Sequence, residues 1–104
     1  MLEIYNKLIR DNLVEHMRNK GLQVEYEILD EKRYIEELNK KLLEEVNEYL
    51  RDYSIEEMAD IMEVIYAILE TKNISIEEVD KVRLEKRLRK GAFKDRIFLK
   101  TVEE

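Results

Sequence analysis

Apolar residues recur at helical spacing over most of this chain, and turn residues punctuate them at regular points. Residues 2–5 read as a short extended piece. Asp11 is a cap for a helix running to about Lys20, with Gly21 as its C-terminal stop. From Gln23 to Leu29 (QVEYEIL) apolar and polar residues alternate, which predicts a short strand or an extended arm. Asp30 opens a long helix to about Arg51. Ser54 followed by Glu57 forms a capping-box signature and starts a helix ending near Asn73. Ser75 followed by Glu78 repeats the signature and starts a basic helix that Gly91 stops, before an extended tail containing RIFLK. With no proline and two glycines, the chain has no linker-like stretch. The expected fold is all-α, a helical bundle of about four helices with short extended terminal segments, in a single domain over residues 1–104.

The two central helices carry acids where apolar side chains belong. Successive helical residues are about 100° apart. With Glu45 at zero, Tyr34, Leu38, Tyr49, Leu42, Ile35 and Val46 fall between about −20° and +100°. Glu45 therefore lies inside the apolar arc, Glu48 at its edge, and Glu44 further round. With Glu57 at zero on the next helix, Val64, Ile68, Ile61 and Ile65 fall between about −20° and +80°. Glu57 is again inside the arc, and Asp60 sits between Val64 and Ala67. Glu56 and Glu63 flank it.

A turn around Tyr53 joins the two helices. In an antiparallel pair, Glu48 comes level with Glu57 and Glu45 with Asp60, the two levels about 5 Å apart. Four carboxylates thus converge on one inner region, where repulsion and desolvation both oppose ionisation. Protonation or pairing with Arg or Lys would relieve this. A divalent cation would relieve it most completely, and all-oxygen ligands suit Mg²⁺ or Mn²⁺. A single ExxE arises easily in a charge-rich helix. Two acidic pairs, both on apolar arcs and level across a turn, are a more specific signal.

Composition sharpens the picture. Of 104 residues, 44% are apolar and 42% charged, the latter well above ordinary globular usage. The absence of cysteine excludes disulfides and thiolate metal sites. No apolar run approaches a membrane span, and no signal-peptide pattern opens the chain, so a cytoplasmic protein is expected. The net charge of −6 is unevenly laid out. Residues 81–96 hold eight basic and two acidic residues, whereas residues 30–63 hold twelve acidic and five basic. A divalent-cation site beside an anion-binding segment suits phosphate esters and anhydrides, whose oxygens Lys and Arg also hold. The basic segment by itself reads equally well as a solvated helix face that complements the helix dipole.

These residues resemble a known family. KLLEEVNE followed by EEMAD is similar to the EExxE…ExxD signature of the MazG-like all-α nucleoside triphosphate pyrophosphohydrolases. YNKLIRDNL resembles the YNKLVRDKIP opening of a compact subfamily, the phosphoribosyl-ATP pyrophosphohydrolase-like proteins. KRLRKGAFKDRIFLK resembles that subfamily's basic C-terminal segment. The three segments occur in the expected order and span nearly the whole chain. Asn12 and Val14 stand where the opening motif has Lys and Pro, and the gap from Glu48 to Glu57 is short for the superfamily.

The resemblance implies that Glu45, Glu48, Glu57 and Asp60 ligate Mg²⁺, and that Glu44 and Glu45 act in catalysis, with Glu44 a further ligand or the residue that orients water. Glu63 would belong to an outer shell. Lys7, Arg10 and, in the basic segment, Lys86, Arg87, Lys90 and Arg96 would contact phosphates. The implied reaction is hydrolysis of a nucleotide between its α- and β-phosphates, giving a monophosphate and pyrophosphate. Rival readings are a phosphoribosyl-ATP pyrophosphohydrolase, a helical interaction module without activity, and a nucleic-acid binder using residues 81–96. Overall negative charge disfavours the last. Leu43, Leu50, Met62 and Tyr66 lie beyond the main apolar arcs, so a homodimer or homotetramer is expected.

Overall fold

The computed structural model describes residues 1–104. The chain is all-α, with four helices and no strand. It divides into two compact units, Met1–Asn73 and Ile74–Glu104. No helix is long and apolar enough to cross a membrane.

The first unit holds α1 (Leu13–Asn19), α2 (Glu31–Asp52) and α3 (Ile55–Thr71). Each long helix starts where its cap predicts. The Asp30 carboxylate accepts from the Arg33 amide at 2.9 Å, and the Ser54 hydroxyl accepts from the Glu57 amide at 3.4 Å. Each cap satisfies one of the amides that a helix start leaves without a partner. At its far end α2 stops on Tyr53, whose left-handed φ of 53° reverses the chain while its amide donates to the Tyr49 carbonyl at 2.7 Å. A bulky residue rarely adopts that conformation. The Tyr49 and Tyr53 rings meet edge to face, with centroids 5.8 Å apart. Tyr53 and Ser54 are thus the whole link between α2 and α3, which pack on each other as an antiparallel hairpin.

The hairpin buries the arcs that periodicity assigns to it. Leu38 and Val64 form its apolar centre, at 3% and 7% exposure, and Glu45 is buried with them at 6%. Their neighbours on the same arcs, Ile35, Leu42, Ile61, Ile65 and Ile68, are half-buried.

Two expectations change. The N-cap of α1 is Asn12 and not Asp11, and no side chain caps it. Asn12 already has near-helical backbone angles, so its side chain cannot reach back to the first-turn amides, and backbone turns close the start instead. Residues 23–29 form no strand, because the first unit offers no second strand to pair with, and the segment has no regular secondary structure. Arg18 steadies it, donating to the Val24 carbonyl at 3.4 Å and lying 5.5 Å from the Tyr26 ring centre. Gly21, at φ 82°, ends α1 as expected: the Gly21 and Leu22 amides bond back to the Arg18 and Met17 carbonyls.

The second unit holds α4 (Ile76–Lys90) and the tail to Glu104. Ser75 caps it, accepting from the Glu78 amide at 3.1 Å. Gly91 ends it at φ 89° and ψ 178°, a backbone region that essentially only glycine occupies.

Candidate metal centre

The acidic side chains gather at the turn end of the α2–α3 hairpin. Glu45 is the deepest. One of its oxygens, Oε1, lies 3.4 Å from the Lys41 ammonium, one helical turn back. The other, Oε2, is buried and has no hydrogen-bond partner. Burial pushes the Glu45 carboxyl above the ordinary carboxylate range. The nearby Glu48 and Asp60 carboxylates push it the same way, while Lys41 pulls against them. An unsatisfied buried polar group destabilises by about 1–3 kcal/mol, more when charged. Asp60, on α3, thus lies near enough to Glu45 for its charge to add to that rise.

Cations from the N-terminal segment meet the rest of the cluster. The Lys7 ammonium donates to Glu44 at 2.7 Å, and Lys41 reaches Glu44 at 3.0 Å. The Lys7 hydrogen bond leads in holding the Glu44 carboxyl below its ordinary range, and the same bond raises the Lys7 ammonium. The Arg10 guanidinium donates to Asp60 at 2.7 Å. Glu57 turns to its own cap and accepts from the Ser54 hydroxyl. With Glu44, Asp60 and Glu57 engaged in this way, no three acidic side chains adopt a metal-ligating arrangement.

By type, carboxylate oxygens are the donors that hard divalent cations take. The Glu45 Oε2 is a hard oxygen with no hydrogen-bond partner, and Glu48 and Asp60 are further carboxylates near enough to act on its charge. Lys7 and Arg10, which the resemblance assigns to phosphates, pair with the carboxylates Glu44 and Asp60. Glu63 is exposed on the outer face of α3. Lys86, Arg87, Lys90 and Arg96 lie in the second unit, all exposed and none in an ion pair.

Lys41 joins the site without having been among the residues expected there. Its spacing of three and four residues before Glu44 and Glu45 was a usable signal. A cleft of about 110 Å³ opens between the segment and α2, lined in part by Asn6, Lys7, Lys41 and Glu44. A shallow cleft of about 280 Å³, lined by Leu29, Glu31, Tyr34, Ala67, Glu70 and Thr71, lies at the opposite end of the hairpin. No protein-family model, curated protein or solved structure matches the chain.

Proposed function

We propose that this chain is a Mg²⁺-dependent nucleotide pyrophosphohydrolase of the MazG-like all-α type, acting in the housekeeping of noncanonical nucleotides. The observation that carries this reading is the buried, unpartnered Glu45 Oε2 on an acid-lined hairpin. Unpaired, it is a liability that an ordinary core position would exclude with an apolar side chain. Glu45, Glu48, Glu57 and Asp60 would hold the cation, the last two after leaving Ser54 and Arg10. The cation supplies charge neutralisation at the phosphate oxygens. Glu44 is assigned the orientation of the attacking water. Water adds to the α-phosphorus as the bridging bond to the β-phosphate breaks, which yields a nucleoside monophosphate and pyrophosphate. Lys86, Arg87, Lys90 and Arg96, all unpaired in the second unit, are assigned to phosphate oxygens.

The working form in this reading is a homodimer or homotetramer. Leu43, Leu50, Met62 and Tyr66 support it, being apolar positions beyond the buried arcs and 63%, 56%, 45% and 43% exposed. The same exposure supports a second reading, a helical interaction module without activity. Purified protein tested against a panel of nucleotides, with pyrophosphate detected in Mg²⁺ and in EDTA, separates the two. Mg²⁺-dependent release from one or more nucleotides is the expected result, and no release from any would remove the enzymatic reading. Inclusion of phosphoribosyl-ATP in the panel tests the alternative substrate.

A further inference from the structure

The segment before α1 has no regular secondary structure, yet it places two cations on two different helices. Asn6, at φ 46°, turns the backbone just ahead of Lys7, a conformation that Asn tolerates better than most residues. Leu8 and Ile9 are half-buried and anchor the segment between its cations. Lys7 reaches Glu44 on α2, and Arg10 reaches Asp60 on α3. Glu45, next to Glu44 on α2, pairs with Lys41 through Oε1 and keeps an Oε2 that neither cation meets. The segment therefore neutralises Glu44 and Asp60 and leaves the Glu45 Oε2 unsatisfied. Both ion pairs are partly open to water, with Lys7 41% and Arg10 56% exposed. Such pairs are weak and exchange readily.

Resting on the reading of a divalent-cation centre, we propose that residues 1–12 are a strap whose Lys7 and Arg10 are counterions exchanged for the metal. Metal binding frees both cations from Glu44 and Asp60 and turns them toward the phosphates of the nucleotide. One pair of side chains thus serves the acids in the metal-free protein and the substrate in the loaded one. Metal and strap compete for the same carboxylates, so each weakens the other by the same factor. Nucleotide phosphates reach Lys7 and Arg10 without competition only after the metal has entered.

The test is calorimetric titration of Mg²⁺ alone into the full chain and into a Lys7→Gln/Arg10→Gln variant. The variant is expected to bind Mg²⁺ roughly 2–30-fold more tightly, the range given by two partly exposed ion pairs. A Lys32→Gln/Lys72→Gln variant removes the same charge at the far end of the hairpin, twelve residues or about 18 Å along the helices from Glu44 and Asp60. It is expected to match wild type within about twofold, because salt screens charges more than about 10 Å away. Trypsin supplies a second readout. Cleavage after Lys7 and Arg10 is expected to accelerate in Mg²⁺ relative to EDTA, with cleavage after Arg89 as the internal reference. Equal Mg²⁺ affinity in wild type and the Lys7/Arg10 variant, or weaker binding in that variant, overturns the strap and leaves the metal centre standing. Equal tightening in the control variant also overturns it, since net charge then suffices. Absence of Mg²⁺ binding to any variant overturns the metal centre and the strap together.

Discussion

The Arg10 guanidinium lies 2.7 Å from the Asp60 carboxylate, although fifty residues separate the two in the chain. The pair joins an irregular segment to α3, and both partners are well exposed. Geometry of this kind invites a large energetic role, but solvent screening limits it. A double-mutant cycle with Arg10→Ala and Asp60→Asn, measured by urea unfolding in EDTA, should give a coupling of about 0.2–1 kcal/mol. A coupling of several kcal/mol would make the contact structural and would count against its exchange for a metal.

Mg²⁺ should raise the melting temperature. Binding to the folded state alone stabilises by mass action, about 1.4 kcal/mol when free Mg²⁺ is ten times its dissociation constant. For a domain near this size that corresponds to several degrees. Scanning calorimetry across millimolar Mg²⁺ against EDTA makes the measurement, and an unchanged midpoint contradicts the metal centre.

Glu45→Gln should separate activity from stability. Activity should fall by about a hundredfold or more, as when a group acting on the transition state is removed. Metal-free stability should hold or rise, because a buried carboxylate with an unpartnered oxygen becomes a neutral amide. The pH dependence has a definite sign. The Glu45 carboxyl is raised in the folded protein, so its protonated form is the one the fold favours. Its contribution to stability is complete below the ordinary carboxylate range and is lost as pH rises through the raised value. In EDTA, the advantage of Glu45→Gln over wild type should therefore be greatest at neutral pH and shrink on acidification. An advantage independent of pH would assign the effect to packing.

Ser54→Ala should destabilise by about 0.5–2 kcal/mol, the usual effect of losing a helix N-cap. It also releases Glu57 from the Ser54 hydroxyl. The stabilisation by Mg²⁺ should accordingly be retained or enlarged in this variant, as melting scans with and without the metal will read.

Leu50→Glu together with Met62→Glu should convert an oligomer to a monomer. Both residues are exposed apolar positions beyond the buried arcs. Light scattering reads the change in mass. A wild-type protein that is already monomeric and fully active at assay concentration removes the oligomer.

The hairpin was legible in the sequence because helical periodicity converts position into angle. Leu38, Val64 and Glu45 fall within their apolar arcs and are the three buried residues in the structure. Ser54 and Ser75 announced their helices because a cap is a local hydrogen bond, written within four residues. The start of α1 was not legible to the residue, since Asp11 and Asn12 are equally able caps by type and backbone angles decided between them. The carboxylate partners of Lys7 and Arg10 were out of reach for a different reason. An irregular segment has no period, so nothing in its spacing says which acids it will meet. Lys41 is legible in the way the hairpin is, because its spacing of three and four residues from Glu44 and Glu45 places all three on one side of α2.

The two-residue link at Tyr53 and Ser54 sets a phase. With so short a link, the rotation of α3 against α2 follows closely from residue count, and Asp60, six positions after Ser54, comes within reach of the Glu45 charge. One residue inserted into the first turns of α3 would rotate every later side chain by about 100° relative to those before it. Glu57 and Asp60 would then no longer share a face, and Val64 would leave the core. The segment ahead of α1 bears no such constraint, because residues there act through reach rather than angle. Changes in length should thus be tolerated before Asn6 and excluded between Glu44 and Val64, making the hairpin the fixed frame on which the rest of the first unit can vary.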